Sequence, residues 1–192
     1  MKKIDIYLFL YDKFVEFEVS QTLLILNKNL LTTVSFERGL VCSVENLKVQ
    51  ADLSIEELDI DKVDVFIIPG GEPKHFIADP KYAKKLMILN KKLVKLAKQG
   101  KIIAAICGGP TFLAYAKVLD NIKCTATISN DEQVFYKKSI FTNSDIETHN
   151  NIITAKGQAF TEFAATIARH CNIFKTEKEM QEMIDWFRNK KT

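Results

Sequence analysis

One cysteine of this sequence lies where a strand pattern changes into a helix pattern. Cys107 follows an apolar run, and its neighbours include the small residues Ala105, Gly108 and Gly109. A sharp strand-to-helix turn forces its central residue into a sparsely populated backbone conformation, so the flanking residues must be small. The turn also presents the first free amides of the helix to the sulfur, which favours the thiolate. The sequence therefore predicts a nucleophile elbow built on cysteine, with a pKa of Cys107 below its ordinary value.

Two glutamates after the first predicted strand are candidate proton-transfer partners for this cysteine. Glu16 and Glu18 alternate with bulky apolar residues, and burial among such neighbours raises the pKa of a carboxyl group. A protonated Glu18 can donate a hydrogen bond to the Cys107 thiolate, and the two groups then titrate as a pair. The residues alone also allow a second interpretation, a solvated glutamate in the first turn of a helix.

A glycine turn follows the predicted strand that ends near residue 68. Gly70 and Gly71 place no Cβ over the backbone, so the amides of Gly71 and Gly108 can donate to a developing oxyanion. A turn that leads into a helix would use the same glycines, and this structural alternative stays open. His75 lies just beyond the turn and is a candidate acid or base, its alternative being an exposed loop histidine without a role.

Apolar spacing predicts alternating strands and helices along the chain. Short apolar runs and β-forming segments predict strands at 4–10, 63–68, Ile102–Ile106, 123–128 and Ile152–Ala155. Helical spacing and capping boxes predict helices at 17–30, 82–99 and Phe160–His170, a short one after Ser129, and a last one after Thr176. This alternation predicts a doubly wound α/β sheet, whose ligand crevice lies beyond the carboxyl ends of the strands.

Composition limits the classes of function. The chain has 192 residues, 47% of them apolar and 27% charged, which suits one domain over residues 1–192, with 174–192 forming a C-terminal helix packed on it. The net charge of +3 is small and mixed along the chain, so nucleic-acid binding finds little support. No run approaches the roughly 20 apolar residues that a membrane span needs. We therefore expect no nucleic-acid or membrane partner.

The cysteines and histidines predict neither a disulfide framework nor a metal site. The four cysteines show no CxxC spacing, which suits a reducing compartment, and the three histidines are widely scattered. Asp5 and Asp12 interrupt the first apolar segment, so no signal peptide is predicted. We expect a cytoplasmic protein that needs no metal and no cofactor.

The order of several short stretches resembles the ThiJ/PfpI superfamily, which has the class I glutamine amidotransferase-like fold. The resemblance spans roughly residues 3–173, and it rests on residues 14–18, 68–71, 104–110 and 155–157 followed by 160–168. It implies a three-layer, flavodoxin-like α/β sandwich with a mostly parallel central sheet, usually dimeric. It also implies that Cys107 is the reactive thiol, that Glu18 is its protonated partner, and that Gly71 and Gly108 form the oxyanion site.

Members of this superfamily include deglycases, metal-free glyoxalases, isocyanide hydratases, chaperones, intracellular peptidases and oxidative-stress sensors. The peptidase branch has a histidine where this chain has Gly108, and the deglycase branch has one where this chain has Thr127. Glutaminases use a late His-x-Glu dyad, whereas His149 and His170 are followed two positions later by asparagine. Peptidase and amidotransferase activities are therefore disfavoured.

The sequence leaves two interpretations of function. The first is a hydrolase or hydratase/lyase in which Cys107 attacks a small glyoxal-, amide- or isocyanide-like electrophile, with Thr127 among the substrate-binding residues. The second is a non-catalytic oxidative-stress sensor or chaperone that acts through oxidation of Cys107. A transcriptional regulator would need an added DNA-binding module, for which 192 residues leave no room.

Overall fold

A seven-stranded sheet forms the centre of the computed structural model, which describes residues 3–189. Its strands are β1 (Asp5–Leu10), β2 (Leu30–Ser35), β5 (Leu53–Ser54), β6 (Val65–Ile68), β7 (Ile102–Ile106), β10 (Ile146–His149) and β11 (Ile152–Ala155). Their spatial order is β10-β11-β7-β6-β1-β2-β5. All neighbours pair in parallel except β10, which runs antiparallel to β11. The carboxyl ends of β1, β6, β7 and β11 therefore meet at one edge.

Two small sheets lie outside this main sheet. One is the antiparallel hairpin of β3 (Gly39–Cys42) and β4 (Lys48–Ala51), and the other pairs β8 (Lys123–Cys124) with β9 (Ile140–Phe141) in parallel. The hairpin contacts the segment after β1, where Val44 donates its amide to the carbonyl of Phe14 at 2.9 Å. The hairpin thus reaches the edge of the main sheet where the predicted site lies.

The helices form two layers around the sheet. They are α1 (Phe17–Ile25), α2 (Pro73–Ala78), α3 (Ala83–Lys98), α4 (Pro110–Tyr115), α5 (Phe160–His170) and α6 (Glu177–Phe187). Helices α1, α5 and α6 pack together on one face of the sheet, and α2, α3 and α4 pack on the opposite face. Strands β6 and β7 are buried between these layers, which explains their continuous apolar sequence. The predicted three-layer α/β sandwich with a mostly parallel sheet is confirmed.

Two predicted elements are shorter in the structure. The helix predicted over 17–30 ends at Ile25, because the Asn29 side chain accepts the Ile4 amide at 3.0 Å and turns the chain into β2. The strand predicted over 123–128 ends at Cys124. Beyond it, the Thr125 amide donates to the Thr154 hydroxyl at 3.0 Å, so it makes no ladder bond.

The last predicted helix is α6, and its start is capped as expected. The Thr176 hydroxyl accepts the amide of Glu179 at 3.2 Å. The helix packs on α5, where Arg169 and Glu177 form an ion pair at 2.9 Å. Residues 1–2 and 190–192 of the predicted domain lie outside the described residues. None of the helices within residues 3–189 has the length and apolar character that crossing a membrane requires.

Candidate active site

Cys107 occupies a sharp turn between β7 and α4. Its φ of 58° lies in the left-handed region, which non-glycine residues rarely adopt. The turn is held from both sides, since the Cys107 amide donates to Ala155 and its carbonyl accepts the Thr127 amide, each at 2.9 Å. A Cβ on Gly108 would overlap the carbonyl oxygen of Gly71, so only glycine fits there. The local geometry is that of the predicted elbow.

Glu18 lies in the first turn of α1 and faces the cysteine. Its side chain is buried, with 3% of its surface exposed. One carboxylate oxygen, Oε2, accepts the Gly70 amide at 2.9 Å, and the carboxylate also accepts a hydrogen bond from the Cys107 thiol. A Cβ on Gly157 would lie 2.9 Å from Glu18 Oε1 and 3.2 Å from Cys107 Sγ, so Gly157 closes the pair from a third side. Of the two candidate glutamates, Glu18 contacts the thiol.

Burial raises the pKa of both members of this pair. The pKa of Glu18 rises to about 7, because burial outweighs the hydrogen bonds from Cys107 and Gly70. The pKa of Cys107 rises to about 12, because burial and the neighbouring carboxylate outweigh the Gly108 amide and the Thr127 hydroxyl. The prediction of a Cys107 pKa below its ordinary value is therefore wrong. Burial beside an anion outweighs the short helix α4.

A cleft of about 590 Å³ gives access to the cysteine. Side chains and backbone from four segments of the chain form its walls: Asp12, Lys13, Val15, Val44, Gly71, Glu72, His75, Phe76 and Cys107. The segment after β1, the hairpin loop, the Gly71 turn and the elbow therefore meet in one concave site. This arrangement agrees with the expected crevice at the carboxyl ends of the strands.

The predicted oxyanion residues lie next to each other in this site. Gly71 lines the cleft with a φ of 137°, and its carbonyl is in close contact with Gly108. The backbone–backbone hydrogen bonds of residues 3–189 leave the amides of Gly71 and Gly108 without a carbonyl acceptor. The Gly108 amide instead contacts the Cys107 sulfur. The Gly71 amide is thus open to an acceptor in the cleft, whereas the Gly108 amide already points to the Cys107 sulfur, beside which an oxyanion would form.

His75 reaches the cleft but does not contact the thiol. It lies in helix α2, not in the loop expected from the sequence, and its side chain is 67% exposed. Its Nδ1 lies 2.9 Å from Glu72 Oε2. His75 is therefore a residue of the rim of the cleft, paired with a neighbouring carboxylate.

Thr127 lies on the other side of Cys107. Its hydroxyl oxygen accepts the Gly157 amide at 3.0 Å, and the hydroxyl also bonds the Cys107 sulfur. Thr127 lines a second cavity of about 630 Å³, together with Gln158 and Tyr136 among others. The structure thus places Thr127 beside the Cys107 sulfur, and its role in binding a substrate stays a prediction.

Two further contributions to the site were not predicted. The buried Tyr11 hydroxyl donates to the Pro69 carbonyl at 2.9 Å and so fixes the turn that carries Gly71. Glu45 of the β3–β4 loop accepts the Glu16 amide at 3.3 Å and caps α1. Both contacts join segments distant in sequence, and no local pattern indicates them.

The remaining cysteines and histidines lie apart from the site. Cys42, Cys124 and Cys171 are free thiols, and His170 Nδ1 lies 2.8 Å from the carbonyl of Thr166 in its own helix. Within residues 3–189, no group of three or more His, Cys, Asp or Glu side chains is arranged to hold a metal ion.

A parallel sheet between two helix layers, with a cysteine at a sharp turn beside a buried glutamate, defines a class of α/β proteins with a cysteine elbow. Residues 3–170 match the DJ-1/PfpI family, and the chain belongs to this family. The crystal structure of the thiJ/pfpI family protein from Bacillus anthracis has a TM-score of 0.83 at 20% identity, covering 100% of this chain and 93% of that chain. At this identity the likeness shows the fold.

Several sequence relatives carry the name deglycase, among them one from Thermococcus and one from Pyrococcus. Deglycase TK1284 of Thermococcus kodakarensis is 29% identical over 126 residues, which are 64% of this chain and 70% of that protein. Deglycase PfpI of Pyrococcus furiosus is 34% identical over 98 residues, which are 49% of this chain and 53% of that protein. The match therefore spans about half the length of the Pyrococcus relative.

Proposed function

We propose that this protein is an enzyme in which Cys107 attacks a small electrophilic carbon, foremost the aldehyde carbon of a glyoxal. The observation that carries the proposal is the buried contact between the Glu18 carboxylate and the Cys107 thiol. A carboxyl group with a pKa of about 7 is matched to proton transfer near neutral pH. The deglycase names of two relatives support the choice of a glyoxal-type carbonyl over an amide or isocyanide.

Glu18 is the general base of the first step. As the Cys107 sulfur bonds to the aldehyde carbon, the thiol proton passes to the Glu18 carboxylate, so no separate thiolate has to form in the buried site. The amides of Gly71 and Gly108 donate to the carbonyl oxygen as it gains charge. Glu18 then returns its proton to that oxygen, which gives a hemithioacetal.

The later steps need a second proton transfer. The hemithioacetal C–H proton moves through Glu18 to the adjacent carbonyl carbon, and the hemithioacetal hydroxyl proton moves to the oxygen of that carbonyl, which leaves a thioester on Cys107. Water hydrolyses the thioester, so that dicarbonyl and water together yield a 2-hydroxy acid and the free thiol. Thr127 stands where the deglycase branch has a histidine, so Glu18 carries these transfers without a second base beside the sulfur.

The experiment measures lactate formed from methylglyoxal by the wild type and by Cys107→Ala and Glu18→Gln. We expect Cys107→Ala to abolish turnover and Glu18→Gln to lower kcat by roughly 10²–10⁴, the range for loss of a general base. Cys171→Ala is the matched control, because Cys171 is another partly buried free thiol, outside the cleft.

Two results would contradict the proposal. One is lactate formation by Cys107→Ala at the wild-type rate. The other is a wild type that turns over no member of a panel of glyoxals, isocyanides and small amides.

One observation favours the second candidate function, a sensor that responds to oxidation of Cys107. The one histidine of the cleft, His75, pairs with Glu72 rather than with the thiol. Without turnover, the same pair would hold a sulfinic acid formed by peroxide, with a protonated Glu18 donating to a sulfinate oxygen. This function predicts addition of two oxygens at Cys107 that Glu18→Gln weakens, together with no turnover of the panel.

We also propose that the protein forms a homodimer. Exposed apolar side chains support it: Phe17 and Leu24 of α1 are 48% and 54% exposed, and Val44 of the hairpin loop is 51% exposed. A second copy of the chain would cover such surface. Light scattering on the purified protein tests it, and a monomeric mass would contradict it. The cytoplasmic location stays a prediction.

A further inference from the structure

Lys13 adopts a backbone conformation that costs a lysine free energy. Its φ is 65°, in the left-handed region that favours glycine and asparagine. Its amide donates to the Cys42 carbonyl at 2.7 Å, and its own carbonyl oxygen would lie 2.8 Å from a Cβ on Gly71. The backbone is therefore fixed between the hairpin and the Gly71 turn.

Among residues 3–189, Lys13 is the one lysine or arginine that lines the cleft containing Cys107. Two carboxylates line the same cleft, but both have other partners. Asp12 accepts the Cys42 amide at 3.1 Å, and Glu72 lies 2.9 Å from His75 Nδ1. Among the ion pairs of residues 3–189, none involves Lys13. The site thus holds a reactive thiol and a cation whose partner is not supplied by the described part of the chain.

We propose that Lys13 binds the carboxylate of an aldehyde acid, such as glyoxylate, and so holds its aldehyde carbon at Cys107. The inference rests on the proposed attack of Cys107 on a small carbonyl and names the substrate class of that site. A single lysine matches one carboxylate charge. The neighbouring carboxylates of Asp12 and Glu72 repel a dianion, which disfavours a phosphorylated substrate over a monoanionic one.

The chemical step conserves atoms and electrons. The sulfur of Cys107 bonds to the aldehyde carbon, and the π bond of the aldehyde breaks toward its oxygen. The thiol proton reaches that oxygen through Glu18, so the product is a hemithioacetal and no group leaves. Lys13 keeps its ion pair with the carboxylate throughout, and no oxidant or reductant is required.

The test compares two alkylating reagents that differ in charge but not in shape. Iodoacetate carries a carboxylate, iodoacetamide is its neutral counterpart, and mass spectrometry measures the rate of each at Cys107. We expect the ratio of the iodoacetate rate to the iodoacetamide rate to fall roughly threefold to fivefold in Lys13→Met, the effect of one solvent-exposed ion pair. Lys13→Arg restores the ratio, because it restores the positive charge.

Lys117→Met is the matched control, because Lys117 is also an exposed lysine with a positive φ, 61°, but lies outside the cleft. It should leave the ratio unchanged. An unchanged ratio in Lys13→Met, or an equal fall in Lys117→Met, would overturn the inference. The iodoacetamide rate and the melting temperature of each variant show whether the site has stayed folded.

A second measurement uses reversible ligands. Glyoxylate and its neutral methyl ester should protect Cys107 from iodoacetamide, and glyoxylate should lose its advantage over the ester in Lys13→Met. Equal protection by both compounds in the wild type would overturn the inference. The turnover assay with neutral methylglyoxal remains a separate test, so it can fail while the charge preference stands, or succeed while that preference is absent.

Discussion

The Glu18 carboxylate and the Cys107 thiol share a buried hydrogen bond where the first turn of α1 meets the turn after β7. Burial raises the pKa of both groups, and the Glu18 carboxylate raises that of the Cys107 thiol further, so the protons leave the pair in two steps. The first step belongs near pH 7, where the pair changes from two protons to one. That single shared proton is the basis of the first prediction.

Alkylation of Cys107 by iodoacetamide should rise with pH through about 7 and then reach a plateau. Below this pH both groups are protonated and the sulfur is a weak nucleophile. Above this pH the pair has lost one proton. The fraction of pairs in which the sulfur is the ionised group then no longer changes with pH. The rate of Cys107 modification between pH 5 and 9, followed by mass spectrometry, measures this step.

Glu18→Gln should remove the step near neutral pH. Burial still raises the pKa of the Cys107 thiol in this variant, so its rate should rise only in the alkaline range, above about pH 8.5. Cys171 provides an internal reference, because burial raises the pKa of its thiol without a glutamate partner. A Glu18→Gln profile identical to that of the wild type would contradict the pairing.

The same carboxyl group should make folding stability depend on pH. The pKa of Glu18 is 4.5 as a free side chain and about 7 in the folded protein. Between these values the folded state keeps a proton that the unfolded state has released, so the contribution of Glu18 is present below 4.5 and is lost as pH rises toward 7. The wild type should lose about 3 kcal/mol of unfolding free energy from this group alone.

Urea unfolding of wild type and Glu18→Gln measures that loss. Taking the difference between the two proteins at each pH cancels the other titrating groups. The unfolding free energy of the glutamine variant should rise relative to that of the wild type between pH 4.5 and 7, the window set by the two pKa values. From pH 7 to pH 9 the difference between the two proteins should stay constant. A difference that does not change with pH would show that Glu18 titrates as an exposed side chain.

The parts of the fold that the sequence predicts are those that local pattern determines. Strand β7 was predicted at its observed bounds because a strand covered on both faces is continuously apolar. The β-forming segment of β11 was also predicted at its observed bounds. The end of α1 was not predicted at its observed position, because apolar residues continue through Leu26 and Leu30. The turn that ends the helix depends on a hydrogen bond from the distant Ile4 amide. The β3–β4 hairpin, mostly exposed and irregular in pattern, was not predicted at all.

The candidate site shows the same division. Cys107 can be recognised in the sequence by its small neighbours, because a tight turn requires small residues on both sides of its central residue. The direction of its pKa shift does not follow from the sequence, because it depends on burial and on a carboxylate from a distant segment. The role inferred for Lys13 likewise depends on a positive φ that contact with Cys42 fixes.

Gly70→Ala should disrupt the pair directly. A Cβ at this position would overlap Glu18 Oε2 and lie 2.6 Å from the Cβ of Cys107. Overpacking of this kind costs about 1–3 kcal/mol and displaces the groups it meets. We expect a lower melting temperature, loss of turnover, and loss of the step near pH 7 in the alkylation profile.

Gly39→Ala separates this effect from backbone strain. Gly39 has a φ of 141°, but a Cβ there meets nothing within 4 Å. Its replacement should lower stability while leaving the alkylation profile of Cys107 intact. If both variants kept that profile, Gly70 would have only the role of a turn residue.

Thr127→Val should slow the reaction of Cys107 without changing the shape of the site. The variant keeps the branched side chain but removes the hydroxyl that bonds the sulfur and accepts the Gly157 amide at 3.0 Å. Losing a hydrogen bond that favours the thiolate raises the pKa of the thiol, and a net contribution of about 1 kcal/mol corresponds to a rate lower by roughly fivefold. Thr127→Ser retains the hydroxyl and should keep the wild-type rate. The iodoacetamide rate at pH 8 distinguishes the variants, and equal rates for valine and serine would mean that the Thr127 hydroxyl does not act on the sulfur.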